Sequence, residues 1–265
     1  MAIDIRTHLP DDTKTESYFV NTSSVDLRTP KAMGTQALFG QRFSLIEEKD
    51  GLAYGALLSI LPSSERIDYI GHVPQSALSK GDHKPTYIIE AVTAAIFEKA
   101  DIKSPVLGSL PRNATLEGRV EGDFLACPDM GYIHMRHLRA FNAPAERPFT
   151  NFALDMLDLP YVWGGTGHIG VDCSGLVQSA LAAIGVDAPR DADQQEGRLG
   201  SVVDFEARLS GDLLFWPGHV GIVIDGDQLL HANAHHMCVA IEPMIDAVNR
   251  IGVVRTTKRL SELYA

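Results

Sequence analysis

Between Tyr18 and Leu78 the apolar residues fall in short runs divided by turn residues. "RFSLIEEKDGLAYGALLSIL" predicts two strands around "KDG", and "DYIGHVPQSAL" closes the segment. A fainter copy runs from Tyr87 to Leu138. There "NATLEGRVEGDFLAC" predicts a hairpin around "VEG", and "GYIHMRHL" repeats the Tyr, Ile and terminal Leu of "YIGHVPQSAL". A unit of roughly 60 residues repeated once predicts two small β-barrels in tandem, each of a size that is marginal alone. We place them at residues 17–80 and 81–140, behind an N-terminal extension of residues 1–16.

"FNAPAERPF", residues 141–149, has two prolines and little periodicity, as an inter-domain linker does. The pattern then changes over residues 150–265. "TNFALDMLDL" sets Phe152, Leu154, Met156, Leu157 and Leu159 at helical spacing, with Thr150 or Asn151 able to cap. "YVWGGTGHIGVD" carries four glycines, a loop that must turn tightly and let its backbone come close to something. A second helix is predicted from Asp172 or Cys173 to Gly185, burying Leu176, Val177, Ala180, Leu181 and Ile184. After the polar "APRDADQQEGRLG" come short strands, "GDLLFW", "HVGIVID", "QLLHANA", "CVAIEP" and "IGVVRT", with a helical "MIDAVNR" among them. Helices first and an antiparallel sheet afterwards make an α+β domain.

Composition narrows the function. The net charge of -11 argues against nucleic acid and an anionic membrane surface as partners, and points to a small or neutral molecule. Residues 1–17 hold acids and no apolar run, and nowhere do 18 apolar residues run together, so the expected setting is the cytoplasm. Three cysteines without a CxxC spacing favour reduced thiols over a disulfide scaffold.

The chemistry gathers at Cys173. A thiol at a helix N-terminus feels the positive end of the helix dipole, which lowers its pKa and favours the thiolate. Such a nucleophile needs a proton acceptor. His219 in "PGHVGIVI" and His231 in "LLHANA" flank a tight "DGD" turn, so a hairpin brings both to the same end, one as base and the other to orient it. The blander alternatives are a small buried cysteine, satisfied core histidines, and solvated or capping roles for His168, His235 and His236. Cys173, His219 and His231 are metal-ligand types, but no close-spaced pair such as HxxxH anchors them, so no metal or other cofactor is expected.

"YVWGGTGHIGVDCSGLVQSAL", "PRDADQQ", "GDLLFWPGHVGIVI" and "LLHANA", in that order, resemble the successive signatures of the NlpC/P60 cysteine peptidases over most of residues 150–255. The resemblance implies a papain-like α+β fold with Cys173 as nucleophile, His219 as base and His231 as third polar residue. It sets Tyr161 at the site wall, able to hold a developing oxyanion together with the Cys173 N–H. The tandem barrels resemble bacterial SH3 (SH3b) domains, which precede the peptidase in the subgroup resembling γ-D-glutamyl-L-diamino acid endopeptidases. That subgroup implies hydrolysis of the γ-D-glutamyl–diaminopimelate type of bond in cell-wall stem peptides. The expected substrate is a short muropeptide with free N-terminal L-Ala, met during peptidoglycan recycling. Asp172 is similar to the family's acidic contact to the free amine, with a plain helix N-cap as its alternative role. Ser174 is implied as a substrate contact, and Tyr69 of the first barrel is placed where that barrel closes the cleft.

Two positions depart from the family pattern. Position 52 is Leu where SH3b domains commonly have Trp, and "PRDADQQ" offers Asp191 where a small hydroxyl residue is usual. Two other classes stay open: an amidase or acyltransferase of the same fold, since the triad dictates acyl chemistry and not the acyl group, or a non-catalytic wall-binding protein. Oligomeric state is not encoded in any motif of the chain.

Overall fold

The computed structural model describes residues 13–30, 33–59 and 69–260. They group into two compact units that divide between Pro144 and Ala145, inside the proline-bearing stretch expected to link domains.

In the N-terminal unit, seven strands, from Glu16–Val20 to Leu78–Lys80, form an antiparallel sheet. At its centre Arg42–Lys49 pairs with Leu52–Leu57 through the expected turn, where Asp50 and Gly51 both take positive φ. The inward residues Val20, Leu27, Phe43, Ala53 and Val73 are at most 1% exposed and make one core. Residues 87–140 form a five-stranded and a three-stranded sheet around a second core of Ile89, Ala94, Leu110, Leu125 and Ile133. The hairpin Arg119–Glu121/Phe124–Cys127 turns at Gly122, as "VEG" predicts.

The echo in sequence is also an echo in structure. Tyr69–Pro74, a 3₁₀ turn at Gln75–Ala77 and Leu78–Lys80 match Gly131–His134, a 3₁₀ turn at Met135–His137 and Leu138–Ala140. In each, the leucine leaving the turn is extended and packs on its own core. The two halves share hydrogen bonds, Ser23 Oγ to Ser109 O at 2.7 Å and Thr115 N to Phe39 O at 3.0 Å.

The C-terminal unit begins with helix α1 (Phe149–Leu154), whose N-cap is Pro148 with no side-chain cap bond, not Thr150 or Asn151. The proline sets φ for the turn, and Phe149 and Phe152 are drawn fully into the core, so burial rather than a capping side chain places the start. Helix α2 (Cys173–Ala183) follows, with Asp172 as N-cap and Gly185 at φ 85° beyond its end, where a β-carbon would be strained. Leu176, Val177, Ala180 and Leu181 are fully buried, while Ile184 at the C-cap is only half-buried. The polar "PRDADQQ" segment enters helix α3 (Ala192–Arg198), and "MIDAVNR" is helix α4 (Met244–Ile251).

One antiparallel sheet of six strands backs these helices, in the order Ser201–Val203, Thr256–Arg259, Leu213–Trp216, His219–Asp225, Gln228–Asn233, Cys238–Pro243. Both faces of its centre are covered. Leu213, Leu214, Phe215, Val220, Ile222, Leu229 and Leu230 are all buried completely, which a sheet with one wet face does not do. α2 contacts His219–Asp225 and Gln228–Asn233, so the helix start meets the strands that carry the histidines. Among the described residues no helix is long and apolar enough to cross a membrane.

Candidate active site

Cys173 opens α2 because the loop before it is held flat against the helix. Val162 N donates to Val171 O at 3.1 Å, Val171 N to Pro160 O at 3.0 Å, and Thr166–Gly167 pairs with Gly170–Val171. The glycines permit this closeness. A β-carbon on Gly175 would lie 2.1 Å from Gly165 O, and one on Gly165 would lie 2.4 Å from Gly170 O.

Asp172 is buried and saturated. Its Oδ1 accepts from Gly175 N at 2.8 Å and Arg190 Nη1 at 2.9 Å, and its Oδ2 from Gly164 N at 2.8 Å and Arg190 Nη2 at 2.6 Å. Ser174 Oγ accepts from Arg190 Nη1 at 2.9 Å. The carboxylate and hydroxyl expected to meet substrate are therefore already engaged by one buried guanidinium. Gln195, wholly buried on α3, donates to Ser174 O and Pro189 O at 2.9 Å each and ties this loop to the start of α2. Asp191 caps α3 in a reciprocal box with Gln194.

The expectation of a thiolate-rich Cys173 does not hold. The residue is 7% exposed, and burial first, then the neighbouring Asp172 charge, push its thiol up to about 11. The backbone N–H groups of Val220 and Ser174 and the Arg190 charge pull the other way without prevailing. Desolvation of a sulfur anion outweighs the helix dipole here. The resting sulfur is a neutral thiol, lying against the backbone of Val220, the residue that follows His219.

The hairpin places both histidines on one face. Val223 stands opposite Leu229, and Leu229 opposite Glu242, so His219, His231 and Glu242 share that face by the two-residue period of strands. His219 Nε2 lies 2.8 Å from His231 Nδ1, and His231 Nε2 lies 2.6 Å from Glu242 Oε1. Burial, reinforced by the His231 and Arg250 charges, lowers His219 to about 4, and burial lowers His231 as well. Burial would raise Glu242, but its bonds to Arg250 and His231 win and hold it at about 2. At neutral pH both rings are neutral and the carboxylate is charged.

Tyr161 is half-buried, and burial followed by the charges of Cys173 and Asp172 raise its hydroxyl to about 12. It stays a protonated donor beside the thiol. Tyr69 belongs to the N-terminal unit, where its half-buried ring packs on the first core and covers Gly34. His168 is half-buried, while His235 and His236 sit on a turn, with His236 N donating to Asn233 Oδ1 at 2.8 Å.

Arg190 and Glu242 were not singled out in the sequence. A signal existed for the first, since "PRD" sets an arginine just before a helix start; for Glu242 there was none, because the alternation of "CVAIEP" puts it on the face opposite Val239 and Ile241, and only its pairing with Leu229 shows that it lies inward. Among the described residues His231, His236 and Glu242 lie close enough for a metal ion. The Arg250 guanidinium, bonded to both oxygens of Glu242, already supplies the positive charge there.

Residues 158–251, within the C-terminal unit, match the model of the NlpC/P60 family, and the residues before them form the β-rich N-terminal unit. The chain is 26% identical over 221 residues to a γ-D-glutamyl-L-lysine dipeptidyl-peptidase of Bacillus subtilis, covering 78% of this chain and 74% of that one. It is 31% identical over 139 residues to dipeptidyl-peptidase 6 of Lysinibacillus sphaericus, covering 50% of this chain and 51% of that protein. A crystal structure of an NlpC/P60 family protein from Bacillus cereus superposes with a TM-score of 0.77 at 21% identity, covering 92% of this chain and 99% of the other, a likeness of fold. The chain thus spans about half the length of the second relative.

Proposed function

We propose that this protein is a cysteine peptidase that cuts the bond between γ-D-glutamate and an L-diamino acid in peptides from the cell wall. The observation that carries the reading is the 2.8 Å contact between the His219 and His231 rings on strands that pack against α2, the helix headed by Cys173, within residues that match the peptidase family. The name of the Bacillus subtilis relative supplies the substrate class.

In this mechanism His219 Nδ1, the ring nitrogen not engaged with His231, takes the Cys173 proton as the sulfur attacks the γ-D-glutamyl carbonyl carbon. Because the resting pair is neutral, the proton moves during attack rather than before it. The oxyanion is met by the Cys173 N–H at the head of α2 and by the Tyr161 hydroxyl. His219 returns the proton to the departing amine as the C–N bond breaks, leaving a thioester. Water, deprotonated by His219, then releases the γ-D-glutamyl acid and restores the thiol.

Asp172, Ser174, Asp191 and Tyr69 remain the proposed polar contacts to substrate. Arg190 already answers Asp172, so the carboxylate attracts an incoming ammonium less than a free one does. The N-terminal sheets are proposed as SH3b-like barrels at residues 17–80 and 81–140, and short muropeptides with free L-Ala, as in recycling, as the sharper form of the substrate. Incubation with L-Ala-γ-D-Glu-L-Lys and its diaminopimelate counterpart, read by mass, tests the reading. Release of L-Ala-D-Glu supports it; an intact peptide with turnover of another acyl donor favours an amidase or acyltransferase, and no turnover favours a binding protein.

A further inference from the structure

Glu242 is 6% exposed and ends a hydrogen-bonded line that starts at the nucleophile's base. A carboxylate has no proton to give, so its contact with His231 at 2.6 Å requires the proton to sit on His231 Nε2. A neutral imidazole carries one N–H, which leaves His231 Nδ1 with a lone pair. That lone pair faces His219 Nε2 at 2.8 Å, and a hydrogen bond there requires the proton on His219 Nε2. His219 Nδ1 is then unprotonated, the state a base needs. We propose that Glu242 is a positioning residue that fixes the tautomer of both histidines and so makes His219 a base toward Cys173, with Arg250 holding the carboxylate charged and oriented.

Arg250 suits that task. From α4 it donates to Glu242 Oε2 at 2.8 Å and also to Oε1, a two-pronged grip that sets the plane of the carboxylate. The line crosses three adjacent strands and ends on a helix, so each member is held by a different element. Without Glu242, His231 could offer either nitrogen to His219, and the inverted line would put the proton on His219 Nδ1, where it opposes proton transfer from the thiol.

The proposal rests on the peptidase reading for its effect on rate, but its core is readable without substrate. Nitrogen-15 NMR of the histidine rings at pH 7 in the wild-type protein reports which nitrogen bears the proton. Both His219 and His231 are expected in the Nε2–H form; a proton on His219 Nδ1 overturns the proposal whatever the enzyme hydrolyses. Glu242→Met is expected to populate the Nδ1–H form of His219 and to lower kcat about 10- to 100-fold with KM little changed. Glu242→Asp is expected to restore the wild-type tautomers in part. If Glu242→Met does not fold, Glu242→Gln takes its place in the same comparison. Unchanged tautomers and kcat in a folded Glu242 variant overturn the proposal. Loss of the γ-D-glutamyl reading leaves the NMR result standing, so the two failures are distinct.

Discussion

Arg190 and Asp172 form a two-pronged ion pair directly beside Cys173, with their side chains only 4% and 9% exposed. The pair does two jobs. It satisfies a carboxylate that must be buried to cap α2, and it offsets a negative charge that would otherwise repel the sulfur anion as it forms. Arg190 itself stays charged, because Asp172 outweighs the cost of burying it.

Arg190→Met is expected to destabilise the protein by about 3–5 kcal/mol, since it leaves a buried carboxylate without its counter-charge. Urea unfolding measures this, and a loss below about 1 kcal/mol contradicts the account of the pair. Ser174 Oγ loses the Arg190 donor in the same variant and keeps its own bond to Asp172 Oδ1.

Cys173 is expected to react slowly with iodoacetamide at pH 7. A thiol raised to about 11 leaves roughly one molecule in ten thousand as thiolate there, and the rate should climb with pH toward that value. A rate that is already maximal at neutral pH shows a resting thiolate instead.

The acid limb of kcat/KM is expected near pH 4 rather than near the ordinary histidine value of about 6.5. His219 is lowered, so it stays a neutral base down to that point and becomes a useless imidazolium only below it. His219→Ala is expected to lower kcat by about 10²- to 10⁴-fold with the fold retained. An acid limb between pH 6 and 7 in the wild-type protein contradicts the burial of His219 as the cause of its shift.

Gly175→Ala and Gly197→Ala should act in opposite directions. The first drives a methyl group to 2.1 Å from Gly165 O and should cost about 1–3 kcal/mol or more, with loss of activity as the head of α2 shifts. The second meets nothing within 4 Å at an exposed position of α3 and should stabilise by up to about 1 kcal/mol. Thermal unfolding of the two variants side by side reads both signs.

What could be read from the chain was whatever local pattern decides. α2 with its Asp172 cap and Gly185 stop, the "DGD" turn that pairs two histidine strands, and the strand–turn–strand echo at Tyr69 and Tyr132 all follow from spacing and turn chemistry. What could not be read depends on partners far along the chain. Asp172 meets Arg190 across 18 positions, and His231 meets Glu242 only through strand register. The thiolate expected from the helix dipole failed for the same reason: burial of Cys173 by the neighbouring strands is a tertiary fact, and it outweighs a local one. The α1 cap failed because two buried phenylalanines, rather than a hydroxyl or amide, set where that helix begins.

The central claim is that the Cys173 sulfur breaks a γ-D-glutamyl bond. Wild-type protein and Cys173→Ala, shown by circular dichroism to be equally folded, are each incubated with L-Ala-γ-D-Glu-L-Lys, and products are read by mass. Release of L-Ala-D-Glu by the wild-type protein and none by the variant is the predicted result; equal release by both, or none by the wild-type protein, contradicts the account.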